Sequence, residues 1–196
     1  MKAWILLLSS LLAWSCHGVQ AKAEDVTLKQ LSGTRIDSNW FRYLNGRFGL
    51  AIDIPTKGYR YTVPVNGSGL TLTSLDGEVV ITIYAHWVEF PLETANNDVR
   101  TSISKLFDMA VKDTLKDNGT VEYSVRRDNF YVISGKFGNN TYYERLTISD
   151  KCPAIFSSVR IFHPTRLEGR LHQLTTRLSK SLKSTCTGAE GAARFE

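Results

Sequence analysis

The 196-residue sequence predicts an α+β domain, a largely antiparallel sheet of about seven strands covered by two helices. Three features predict it. Seven segments alternate apolar and polar residues with a period of two. Two longer segments carry apolar residues at helical spacing. The connections between the later strands are short, and parallel neighbours need crossovers of about a dozen residues or more.

Over residues 47–54, Phe48, Leu50, Ile52 and Ile54 share one face, and Arg47, Gly49, Ala51 and Asp53 share the other. Pro55 ends this run, because proline cannot donate to a ladder. Leu70 and Leu72 alternate with Thr71 and Thr73. Residues 78–88 place Val79, Ile81, Ile83, Ala85 and Trp87 on one face, with Thr82, Tyr84 and His86 opposite. Asp76-Gly77 lies between these two runs, and a D-G pair in that setting signals a plain hairpin reversal. The preceding Asn66-Gly67-Ser68-Gly69 turn offers backbone N–H groups to an anion, as glycine nests do. No helix follows it and no Lys-Ser/Thr pair accompanies it, so it too reads as a structural turn.

The period then changes. Within residues 96–116, Val99, Ile103, Leu106, Phe107 and Ala110 fall on one helical face. Asn96 or Asn97 caps its start and Asn118-Gly119 stops it. Strand patterns resume over 120–126, 129–137, 141–149 and 154–163. Residues 165–183 form the second helix, with Leu167, Leu171, Leu174, Leu178 and Leu182 in one stripe.

Residues 1–23 read as a secretory signal peptide. Lys2 precedes the apolar run "AWILLLSSLLAW", which is short of the roughly 20 residues that span a bilayer. "AKA" before Glu24 and "VQA" ending at Ala21 are the two cleavage points. Cys16 offers lipid attachment, against which Trp14 stands, since that position of a lipoprotein box takes a small residue. Residues 24–43 read as a loosely structured N-terminal segment anchored at its end by Trp40, Phe41 and Tyr43. Residues 44–187 form the domain and 188–196 a flexible tail.

Losing residues 1–23 removes Lys2 and Lys22 and no acid, so a formal net charge of +5 becomes +3. That is a mild bias with no nucleic-acid motif, and nucleic acid is excluded as a partner. No further stretch is apolar enough to span a membrane. Cys152 and Cys186 remain after the leader goes, and an even pair in an exported chain reads as a disulfide, with two free thiols the alternative. It closes a loop of 35 residues and clamps the last helix onto the sheet.

Catalytic and metal constellations are sparse. There is no G-x-S-x-G and no HExxH, and His86, His163 and His172 lack ligand spacing, so no metal and no cofactor are expected. These histidines read as surface or half-buried. Glu144 shares a strand face with Tyr142, Leu146 and Ile148, and a salt bridge to Arg126, Arg145 or Arg160 accounts for it better than a general-acid role. The strongest functional feature is the basic face of the last helix, where Arg166, Arg170, Gln173, Arg177 and Lys180 follow at steps of 4, 3, 4 and 3. Such a stripe steers an anionic partner by long-range attraction, although a solvated helix face looks the same.

The stretches "YLNGRFGLAIDIP", "NGSGLTLTSLDGEVVITIYA" and "VEYSVRRDNFYVISGKFGNNTYYERL", followed by a strand and an amphipathic helix, resemble a family of mostly uncharacterised exported bacterial proteins. That family carries an N-x-R-F/Y-G-F/L opening strand, an N-G-D-G turn, an S-x-D-G hairpin and a W/Y-x-V-x-S-G strand. The resemblance runs over residues 43–186. The broader architecture resembles the α/β/α sandwich of the photosystem II extrinsic protein PsbP, which is similar to folds used by a nuclear Ran-binding factor and by chaperones of secreted toxins. The resemblance implies binding without a shared chemistry. Ser68 departs from the pattern, where the family usually has Asp, and removes the carboxylate that a cation site would use.

The reading is therefore an exported protein, periplasmic or secreted, monomeric and non-catalytic. It contacts a protein or an anionic cell-envelope component through Arg166, Arg170, Arg177 and Lys180. The alternatives are an inhibitor or immunity-type protein for an envelope-active enzyme, and a hydrolase with its pocket at His86 or Glu144.

Overall fold

The computed structural model describes residues 23–88 and 98–184. The leader up to residue 22, its cleavage points, Cys16, Asn96, Asn97, Cys186 and the tail over 188–196 lie outside the described residues.

In chain order the elements are β1 (Glu24–Val26), β2 (Gly33–Arg35), β3 (Trp40–Asn45), β4 (Leu50–Pro55), β5 (Tyr59–Val63), β6 (Gly69–Ser74) and β7 (Val80–Trp87). Then come α1 (Val99–Lys116), β8 (Thr120–Arg126), β9 (Phe130–Phe137), β10 (Asn140–Ser149), β11 (Cys152–Pro164), α2 (Glu168–Ser181) and β12 (Lys183–Ser184). The main sheet has eight strands rather than about seven, in the order β1-β5-β6-β7-β11-β10-β9-β8, and every neighbouring pair is antiparallel. A second sheet, β12-β4-β3-β2, was not expected.

Residues 24–43 differ from the loose start expected of them. They supply β1, β2 and the beginning of β3. In β3 the inward face is Phe41, Tyr43 and Asn45, all buried. An asparagine on a core face hides the alternation, and its hydrogen bonds show why it is there. Its side-chain amide donates to the Gly67 carbonyl at 2.9 Å, and its Oδ1 accepts the N–H groups of Arg47 and Phe48.

Two cores lie on opposite faces of the main sheet. On one, Val99 and Ile103 of α1 pack with Tyr131, Ile133, Tyr142, Leu146 and Ile148. On the other, Ile52 and Ile54 of the small sheet meet Leu70, Leu72, Ile81, Ile83, Val159 and Ile161. The leucine stripe of α2 joins this second core, with Leu178 and Leu182 buried and Leu167, Leu171 and Leu174 at its margin. Each fully buried aliphatic side chain contributes about 1.5–3 kcal/mol. The result is three layers: α1, the eight-stranded sheet, then α2 beside the small sheet.

The helix ends shift from expectation. Asp98 caps α1, its carboxylate accepting the Arg100 N–H at 3.1 Å. Asn118 stops it with φ of 60°, and Gly119 donates to the Thr114 carbonyl. The second helix opens with a 3-10 turn over Thr165–Leu167 and stops at Ser181, short of residue 183. Leu182 turns extended so that Lys183 and Ser184 can pair with Ala51 and Leu50.

Both glycine turns act as reversals. Gly77, with φ of 78°, donates to the Ser74 carbonyl, and the Asp76 carboxylate accepts from Ser74 and from the Glu78 N–H. In the first turn, the Gly67 N–H reaches the Pro64 carbonyl and the Ser68 N–H reaches the Asn66 side chain. These donors, which an anion would need, serve the turn itself.

Candidate functional site

Asp53 lies on the polar side of β4, where alternation alone would leave it in water. It is buried, because side chains from two other elements close over it. Arg42, on β3, is paired with it in the register and reaches Oδ1 through Nε. Arg177, from α2, approaches Oδ2 at 3.3 Å. The Asp53 N–H donates to Ser181 Oγ at 3.0 Å. β12 is too short to meet Asp53, and Ser181 stands where its ladder would continue. The Arg177 guanidinium also lies 4.3 Å from the centre of the Trp40 ring. Contacts to a cation of this kind contribute about 0.5–1 kcal/mol at exposed sites.

Around this knot runs a groove of about 610 Å³ between α2 and the small sheet. Among the described residues, Arg42, Arg177, Lys180 and Lys183 line it against a single acid, Asp53. Lys180 and Lys183 are exposed and carry no ion pair among the described residues. One carboxylate thus fixes two guanidinium groups while leaving the groove strongly positive.

The structure divides the four residues of the basic face. Arg177 and Lys180 enter the groove. Arg170 is exposed on the first half of α2 and lies outside it. Arg166 sits in the 3-10 turn ahead of α2 and pairs with Glu78, at the β6–β7 hairpin. Sequence reasoning missed Arg42, Lys183 and the burial of Asp53. The signal for Arg42 was the alternation of Trp40, Arg42 and Leu44 against Phe41, Tyr43 and Asn45. Cys152 opens β11, and its expected bridge to Cys186 falls on a residue outside those described.

On the opposite face of the sheet, Glu144 is buried and both its oxygens are engaged. Oε1 accepts from the Tyr131 hydroxyl at 3.0 Å and from Ser158 at 3.4 Å, and Oε2 faces Arg160 Nε at 2.9 Å. Of the three arginines considered from sequence, Arg160 is the partner. Arg145 points to the other face and covers the Phe130 ring at 4.1 Å, and Arg126 reaches Ser104 and Asp108. Burial, and then the charge of Glu144, push the hydroxyls of Tyr131 and Tyr84 up. Burial opposes the charge on Arg160, but Glu144 outweighs it and holds the guanidinium firmly protonated. A carboxylate that accepts from three donors at once holds its neighbours in position.

His86 is half-buried and His172 exposed. His163 is buried, against the expectation for it, with Nδ1 2.9 Å from the Pro164 carbonyl. Among the described residues no group of three His, Cys, Asp or Glu side chains is placed to hold a metal ion. No helix among them is long and apolar enough to cross a membrane.

The chain matches no protein-family model and no curated protein sequence. Solved structures do match it. Cyanobacterial PsbP (CyanoP) from Synechocystis sp. PCC 6803 is similar over 76% of this chain and 94% of its own, with a TM-score of 0.55 and 12% identity. The Ran-binding protein Mog1p of Saccharomyces cerevisiae is similar over 85% of this chain and 97% of its own, with a TM-score of 0.46 and 11% identity. At such identity the likeness to CyanoP speaks for the backbone and not for ligands. The chain has a PsbP-like fold.

Proposed function

We propose that this protein is an exported, non-catalytic binding protein, periplasmic or secreted, whose α2 groove receives an acidic partner, either a protein face or an anionic component of the cell envelope. Export rests on the leader read in residues 1–23. The observation that carries the binding role is the arrangement at Asp53: two arginines fixed by one buried carboxylate, flanked by Lys180 and Lys183, which no acid among the described residues neutralises. Preoriented guanidinium groups lose less freedom on binding than free ones, and they meet carboxylate or phosphate oxygens in pairs. The unpaired lysines add the long-range attraction that speeds encounter.

The test replaces Lys180 and Lys183 together by Glu, which leaves the Asp53 contacts intact. Native and variant proteins are passed over vesicles containing an anionic phospholipid, over immobilised anionic wall polymer, and through envelope extract. The native protein is retained by one of these and released as salt shortens the Debye length from about 10 Å at 0.1 M to about 3 Å at 1 M. The variant is not retained. Equal retention of both proteins by every partner would dispose of the groove's role.

A further inference from the structure

A second cleft, of about 520 Å³, lies on the far side of the main sheet, between the second half of α1 and strands β7, β11 and β10. Its floor is a single row across the register, Thr82 beside Arg160 and Arg160 beside Glu144. Arg160 is held in two ways. Its inner edge, through Nε, meets Glu144, and its flat face lies 5.4 Å from the centre of the Tyr84 ring. Its side chain is nevertheless 55% exposed, and no described residue meets its terminal nitrogens. Glu144 is 4% exposed, so this orientation is secured at the expense of desolvating a carboxylate. Apolar residues in the place of such a pair are often neutral or better for stability, so fold stability alone gives little reason for it. What it achieves is a guanidinium whose outer fork is fixed and facing the cleft.

The rest of the lining narrows the chemistry of what that fork meets. Phe137, Tyr142 and Phe162 form an aromatic wall, with Phe137 5.2 Å from Tyr142 and 6.4 Å from Phe162 between ring centres. Phe162 is exposed although it is large and apolar. At the rim α1 brings Asp113, Lys116 and Asp117. With Glu144 and Arg160 the described lining holds three acids against two bases, which opposes a multiply charged anion and leaves the Arg160 fork as the place where a single negative charge is met. We propose that this cleft binds a small monocarboxylate with an apolar, ring-sized body. The carboxylate is taken by the outer edge of Arg160, and the body rests on Phe137 and Phe162. The site is separate from the α2 groove, from which the sheet divides it.

The experiment titrates the full chain with 3-phenylpropionate, following amide shifts by NMR. Saturable shifts at α1 and β11 are expected. The uncharged amide, 3-phenylpropionamide, binds at least about tenfold more weakly, because it cannot form the charge-assisted pair. Arg160→Gln abolishes binding, Arg160→Lys weakens it about tenfold by losing the fork, and the Lys180/Lys183 double variant binds as the native protein does. Absence of saturable shifts, equal affinity for acid and amide, or tighter binding of inorganic phosphate would each overturn the proposal. The acid–amide comparison is made on native protein and decides the matter even if Arg160→Gln fails to fold.

Discussion

Arg177 and Asp53, 124 residues apart in the chain, meet at 3.3 Å across the seam between α2 and the small sheet. Neither element forms the groove alone. Arg42 and Asp53 come from paired strands, but Arg177, Lys180 and the Ser181 hydroxyl arrive only when the last helix docks. The leucine stripe that drives this docking and two of the basic lining residues, Arg177 and Lys180, belong to the same helix, so burial of one face sets the position of the other.

Asp53→Ala leaves Arg42 and Arg177 without their counter-charge. Their side chains are 34% and 37% exposed, so water screens much of the repulsion. The cost is about 1–2 kcal/mol, below the 3–5 kcal/mol of a fully buried pair. Urea denaturation reads this as a lower midpoint at an unchanged slope. An unmoved midpoint would show that Asp53 orients the arginines without stabilising the fold.

Gly69 is required by a neighbour and not by its own backbone angles. A Cβ there would stand 1.9 Å from the Ile83 carbonyl oxygen and 2.7 Å from the Tyr84 Cα, both backbone atoms of β7. No side chain can swing aside, so Gly69→Ala pushes β6 and β7 apart and costs about 2–4 kcal/mol. Gly77→Ala is the contrast. That position has open space around it and a φ of 78°, and its cost is only the strain of about 1 kcal/mol. Melting curves of the two variants should separate accordingly, and reversal of their order would contradict the contact.

Cys152 opens β11, and the described chain ends on β12, which lies against β10 and β11 and stops two residues before Cys186. We expect the two cysteines to be bridged in exported protein. Closing a loop of this length stabilises by about 3–4 kcal/mol. Peptide mapping without reductant should recover the linked pair, and reductant should lower the denaturation midpoint. Recovery of both as free thiols from exported protein would remove the bridge.

Legibility in the sequence followed the strength of each local pattern. The helical leucine stripe, the Asp76-Gly77 hairpin and the strands from 120 onward were readable because a single period or turn signal governed each. β5 and β1 were not, since three to five residues are too few to establish a period. β3 was hidden by tyrosine and asparagine on its buried side. The basic face was visible as spacing, but the groove was not. Arg42 and Asp53 join Arg177 only through tertiary docking, and a polar alternation that marks Asp53 as solvent-facing cannot report that two arginines will cover it. Glu144 was recognisable as a paired carboxylate from its apolar face, and strand alternation already turns the adjacent Arg145 to the other side, while placing Arg160 beside Glu144 needed the register.

Seven of the eight tyrosines have hydroxyls pushed above the ordinary value of 10.0, in each case first by burial. For Tyr131 and Tyr84 the charge of Glu144 adds to that effect. A proton held more tightly in the folded state stabilises that state fully below the unfolded value, and the contribution is lost as pH climbs above it. Stability should therefore fall steeply above about pH 10, where unfolded chains release phenolic protons that the fold retains. The measurement is phenolate absorbance and circular dichroism followed together through an alkaline titration. Most of the absorbance should rise in one step that coincides with loss of structure. Tyr131→Phe removes one of the retained protons, so stability should decline less steeply with pH, while the lost hydrogen bond to the Glu144 carboxylate costs about 1.5–3 kcal/mol at neutral pH. Gradual ionisation of these tyrosines with the circular dichroism unchanged would contradict the burial described for them, and with it the closed environment that holds Glu144 against Arg160.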